Sequence, residues 1–104
     1  MNTEEFNIEV ENSHLRSKKV LIKKGLEYSK PDSDRLEQFH RAGCAQNIIC
    51  TEALIGMATK HFTSISDMSK DPLAYTIKQW NEKITDLRNY TYLLDALVRD
   101  IGAE

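Results

Sequence analysis

Along the last third of the chain, apolar positions recur at alternating steps of three and four: Ile77, Trp80, Ile84, Leu87, Thr91, Leu94, Val98 and Ile101. This is the spacing of one helical face. It predicts a long helix over roughly Leu73 to Ile101, with Asp71-Pro72 as its capped start. At 100° per residue, Glu82, Asp86 and Asn89 fall together on a different face, while Leu93 and Leu97 broaden the apolar surface. A helix that is greasy on more than one side is expected at the centre of its domain.

Three shorter patterns precede it. Asn12 or Ser13 can cap a helix running to about Tyr28, with Leu15, Lys19, Ile22 and Leu26 sharing a face. Gly25 weakens its end, and Ser29-Lys30-Pro31-Asp32-Ser33 reads as a turn. Asp34-Arg35-Leu36-Glu37 has the spacing of a capping box and opens a short helix to about Ala45. Gly43 and Gln46-Asn47 mark its end. Thr51 can cap a third helix, about Glu52 to Met68, whose stripe is Leu54, Met57, Ala58, His61, Ile65 and Met68. Residues 1–12 alternate Phe6, Ile8 and Val10 with acidic side chains and are expected as a flexible or docking arm. Residues 13–104 are expected to form one all-α, four-helix domain with a long C-terminal helix.

Composition narrows the partners. Fourteen basic against sixteen acidic residues give a formal charge of -2, which supplies no long-range attraction to nucleic acid or to an anionic membrane. The acidic N-terminus lacks the apolar segment of a secretion signal, and no run reaches membrane-spanning length. A cytoplasmic protein is expected. Cys44 and Cys50 are too few for a self-contained zinc site and read as reduced, small apolar side chains. At 104 residues the core is modest, and the wide apolar surface of the last helix favours a homo-oligomer.

The candidate chemistry sits on the helices. Glu82 and Asp86 lie one turn apart, about 6 Å along the axis, so they can share a divalent cation if neighbouring helices add oxygen ligands. They can equally pair with Lys78 and Lys83 on a wet face. Asn89 is a poor helix former among Leu87, Tyr90, Leu93 and Leu94, which calls for a partner: a base edge, a ligand carboxylate or a structural hydrogen bond. His61 falls on an inward face, as a core imidazole or as a phosphate contact beside Lys60. Arg16, Lys18, Lys19, Lys23 and Lys24 make the first helix the most basic segment, with Lys23 or Lys24 as the phosphate candidate. No glycine-rich phosphate loop, dinucleotide fingerprint or nucleophilic triad is present.

Gly25-Leu26-Glu27-Tyr28-Ser29, Asp34-Arg35-Leu36 through Phe39, Lys60-His61 and the run Glu82 to Tyr90 resemble a group of small bacteriophage and prophage proteins. Over Glu82 to Leu94 the chain also resembles the last acidic helix of MazG-like, all-α nucleoside triphosphate pyrophosphohydrolases. That resemblance implies a dimer or tetramer that binds Mg²⁺ on helix carboxylates and cleaves a nucleoside triphosphate to monophosphate and pyrophosphate. Carried over, Glu82 and Asp86 are the catalytic metal ligands with Glu52 on the facing helix. Asn89 then contacts the nucleotide or organises the ligands, while Lys60 and His61, with Lys24 from the basic first helix, can instead contact phosphate directly, which suits a nucleotide-binding protein that performs no hydrolysis. Two features depart from the family: the E-E-x-x-E cluster is missing, and the closing acidic pair is spaced by four instead of three. The phage likeness implies an alternative, a non-enzymatic protein that binds and modulates a host or defence protein.

Overall fold

Asn2 starts the first helix. Its side-chain oxygen accepts the Glu5 N–H at 2.8 Å and the Glu5 carboxylate accepts the Asn2 N–H at 3.3 Å, a reciprocal cap. The computed structural model describes residues 1–28, 30 and 33–104, with Tyr28 as backbone only. In it α1 spans Thr3–Tyr28, α2 Glu37–Gln46, α3 Cys50–Met68 and α4 Ile77–Asp100, with a 3₁₀ turn at Pro72–Ala74. The expected arm is thus mostly helix: α1 begins ten residues ahead of the Ser13 start, because the Asn2–Glu5 box caps it there. The expected turn at residues 29–33 includes Ser29, Pro31 and Asp32, which lie outside the described residues.

Local chemistry sets the other ends. Asp34 caps by a shorter reach than a box, accepting the Leu36 N–H at 2.9 Å, and α2 begins at Glu37. Asn47 closes α2 in the left-handed region (φ 55°), and the Ile48 N–H returns to the Gly43 carbonyl at 2.9 Å. Gly43 does not end the helix. It lets the next segment approach, since a Cβ there would lie 2.8 Å from the Ile48 carbonyl oxygen. α3 starts at Cys50, so Thr51 falls inside its first turn. Pro72 opens the 3₁₀ turn instead of α4, which is capped four residues later by a Thr76–Gln79 box.

α4 is central: α1 packs along one side of it, α3 along the other, and α2 rests on α3. Arg88 joins α1 to α4 by donating to the Ser13 carbonyl at 3.1 Å and to the fully buried Ser17 hydroxyl at 2.9 Å. His14 meets Tyr92 at 2.7 Å and Lys24 meets Asp86, so the two helices run antiparallel. Phe39, Cys50, Leu54 and Leu97 form the buried core, with Leu36, Met57, Tyr90, Leu93 and Leu94 packed against it. Each fully buried Leu or Phe side chain contributes about 1.5–3 kcal/mol.

The face of α4 that is buried differs from the stripe read in the sequence. Thr85, Asn89 and Leu97 are its buried residues. Ile77, Ile84, Thr91 and Ile101 are exposed, and Trp80, Leu87, Leu94 and Val98 are half-buried. The chain turns a partly polar face of its central helix inward and leaves much of the regular apolar seam outside. Among the described residues there is no strand, and no helix is long and apolar enough to cross a membrane. Cys44 is exposed and Cys50 buried, both as free thiols.

Candidate functional site

Turning Asp86 and Asn89 inward creates a cavity where all four helices meet. It holds about 120 Å³ and is lined by Leu21 and Lys24 of α1, by Arg35, Gln38 and Phe39 at the start of α2, and by His61 of α3. Asp86, Asn89, Tyr90 and Leu93 of α4 complete it. That volume would hold about four waters, at ~30 Å³ each, or one planar heterocyclic ring.

Asp86 organises the polar side. Lys24 Nζ lies 3.4 Å from its Oδ1, and His61 Nδ1 lies 3.9 Å from its Oδ2. The first distance is long for a charge-assisted bond and the second is beyond hydrogen-bond reach. Burial lowers the His61 pKa below the ordinary 6.5; the Asp86 carboxylate opposes that, and the Lys60, Lys83 and Lys24 charges add to it. The imidazole is therefore neutral near pH 7, and its ring is tilted against Tyr90 with centroids 5.2 Å apart.

Two cavity residues carry polar atoms that are both buried and without a partner among the described residues. Asn89 is only 6% exposed, and neither its Oδ1 nor its Nδ2 has a hydrogen bond. Arg35 Nη1 is likewise buried and unpaired. Its guanidinium lies over Gly25, where a Cβ would come within 2.9 Å of Nε. The glycine in α1 thus makes room for the arginine that precedes α2.

Four of the residues singled out from the sequence meet here: Lys24, His61, Asp86 and Asn89. Lys60 is exposed beside His61 and acts on it through its charge. Glu82 is exposed one turn before Asp86, in grooves with Arg16 and Lys19 on one side and with Asp67 and Lys83 on the other. Glu52 is exposed in the first turn of α3, nine residues before His61 and about 13 Å from it along the helix axis. Arg35 and Gln38 were not among the candidates. Their placement depends on the α1–α2 corner and on the Gly25 gap, and neither has a periodic signature.

Mg²⁺ calls for about six hard oxygen ligands. Among the described residues Asp86 is the one carboxylate lining the cavity, and it already faces a lysine. Among the described residues no group of three or more His, Cys, Asp or Glu side chains is placed to hold a metal ion. Glu52, Glu82 and Asp86 do not converge into a ligand set. Among the described lining residues Lys24 and Arg35 are positive, Asp86 is negative and His61 is neutral, a balance of one positive charge.

The fold and cavity define an all-α domain with a polar pocket at the junction of four helices. No family model, curated protein or solved structure matches the chain.

Proposed function

We propose that the interhelical cavity binds a nucleoside phosphate, with Asn89 meeting the hydrogen-bonding edge of the base and Lys24 and Arg35 meeting the phosphate. The observation that carries this reading is the Asn89 amide, buried without a protein partner among the described residues in a cavity that also holds a guanidinium nitrogen with none. Leaving a buried polar group unsatisfied costs about 1–3 kcal/mol, and a ligand that pairs with it recovers that penalty on binding. An amide presents one donor and one acceptor side by side, the pattern that matches a base edge. A guanidinium fork matches phosphate oxygens. Phe39, Leu21 and Leu93 supply the apolar walls that a flat base needs. Lys24, whose side chain is 48% exposed, lies where it can swing from Asp86 to an incoming phosphate. The reading needs no contribution from Glu52 or Glu82.

Calorimetric titration with nucleoside mono-, di- and triphosphates, each with and without Mg²⁺, tests it. Saturable binding is expected, weakened at least tenfold in Asn89→Leu and in Arg35→Gln variants that stay folded. The absence of heat and of any thermal shift for every nucleotide would refute it. Release of pyrophosphate from a triphosphate, abolished in Asp86→Asn, would make the site that of a MazG-like hydrolase. Binding without release would make the domain a nucleotide-binding module.

A further inference from the structure

The first helix carries a second apolar stripe on the side turned away from α4. Ile8, Leu15, Ile22 and Leu26 are 55%, 53%, 55% and 70% exposed, whereas Ser17 on the opposite side is fully buried against Arg88. Ile8, Leu15 and Ile22 are spaced by seven and so hold one heptad position of α1, with Glu11, Asn12, Lys18 and Lys19 at the positions three and four beyond Ile8 and Leu15. The seam on α4 is a weaker candidate, since Trp80, Leu87, Leu94 and Val98 are already half-buried within the chain. On α1 every member is more than half exposed.

Charge says what covers it. The first half of α1 carries Glu4, Glu5, Glu9 and Glu11, and the second half carries Arg16, Lys18, Lys19, Lys23 and Lys24 against the single acid Glu27. At 100° per residue, Glu11 and Lys18 flank the stripe on one side; on the other, Lys19 and Asn12 lie at its edge, with Glu5 and Lys23 beyond them. A parallel pair of α1 helices would set the acidic first half against the second copy's acidic first half and the basic second half against its basic second half. An antiparallel pair with its two-fold axis at Leu15 brings opposite charges together: the heights match to within one residue for Glu11 with the second copy's Lys18, and to within two for Glu5 with the second copy's Lys23.

We propose that this face of α1 binds the same face of a second copy of the chain, antiparallel, with Leu15 against Leu15 at the axis and Ile8 against the second copy's Ile22. Three apolar layers drive the association. The four flanking ion pairs, each worth little in energy, fix its direction by penalising the alternative. An interface of three apolar layers belongs at the small end of specific contacts, so the dimer is concentration-dependent.

Sedimentation or light scattering across a concentration series is expected to move the mass from the 12.0 kDa of one chain toward twice that value. Leu15→Glu, at an exposed position that leaves the helical circular dichroism intact, should hold it at the single-chain mass. Glu11→Lys should weaken association at least tenfold, and adding Lys18→Glu to it should restore the original strength, which a merely structural role would not do. Direction is read by oxidative cross-linking in a Cys44→Ser background, because a disulfide needs Cα atoms within about 7 Å. Leu15→Cys and the Ile8→Cys, Ile22→Cys double variant should each give a covalent dimer. Ile8→Cys alone should not, because the two Ile8 residues lie about 21 Å apart along the pair. A single-chain mass at every concentration would overturn the proposal. So would cross-linking of Ile8→Cys alone, or a dimer that survives Leu15→Glu and dissociates on Ile84→Glu, which would place the contact on α4.

Discussion

Replacing Asn89 with leucine should make the protein more stable and less able to bind, two effects of opposite sign from one change. Asn89 is 6% exposed and neither amide heteroatom has a protein partner among the described residues, so the folded state bears whatever part of a desolvation penalty of about 1–3 kcal/mol the water in the adjoining cavity does not relieve. Leucine removes that penalty and is the better helix former by about 0.5 kcal/mol. Its extra methyl groups have the adjoining cavity of about 120 Å³ to enter, against an overpacking cost of about 1 kcal/mol at the low end. The balance is a gain of about 1–2 kcal/mol, or roughly 4–8 °C in Tm per kcal/mol for a domain of this size. Urea denaturation with an unchanged slope measures it, and the same variant should lack the thermal shift that the proposed nucleotide binding predicts for the parent protein. A loss of 1 kcal/mol or more in the free protein would mean that the amide has a structural partner, and the reasoning from its unpaired state would fail.

Other changes separate the parts of the site from its frame. Gly25→Ala meets only the flexible Arg35 side chain, 2.9 Å from Nε. Stability should hold or rise by up to about 1 kcal/mol, while nucleotide affinity measured by calorimetry falls as Arg35 is displaced. Because burial depresses the His61 pKa below 6.5, the unfolded chain takes up its proton first as pH falls. His61 therefore contributes stability that is fully present above 6.5 and lost as pH drops from there to the lowered folded value. A His61→Gln variant should show a flatter stability profile across that interval in denaturant titrations. Arg88→Ala removes both bonds to α1 and leaves the buried Ser17 hydroxyl unpaired. It should cost about 2–3 kcal/mol, with amide exchange speeding up first in α1. Leu54→Ala, at a fully buried core position, should cost about 2–5 kcal/mol in chemical denaturation.

The helices of this chain are legible because their periodicity is strong; their orientation is not. The regular stripe from Ile77 to Ile101 predicts α4 correctly, yet the face with Thr85, Asn89 and Leu97 is the one buried. Helical spacing shows which residues share a face but not which face a neighbour covers, and α4 has neighbours on two sides. Asn89 was legible for a physical reason: an amide poorly suited to a helix, set among leucines, has to be placed for a partner. Lys24, His61 and Asp86 could be proposed singly, but their meeting depends on the antiparallel pairing of α1 with α4 and on the packing of α3. The helical start at Thr3 was missed because acidic residues spaced among Phe6, Ile8 and Val10 alternate like an extended arm. The Asn2–Glu5 cap decides that segment. Arg35 needed Gly25 to be seen beneath it, a relation between two helices that a linear pattern does not carry.

The central claim is that the cavity around Asn89 receives a nucleoside phosphate, and the side-chain amide of Asn89 can report on it directly. A nuclear magnetic resonance titration with a nucleoside monophosphate, following the Asn89 NH₂ pair, the His61 ring and the Arg35 guanidinium signals, makes the test. Saturable shifts of all three with one common dissociation constant, and little change along the α1 segment before Ser13, are predicted. Cavity signals that stay fixed at millimolar ligand, or shifts confined to exposed lysines such as Lys60, would contradict the claim.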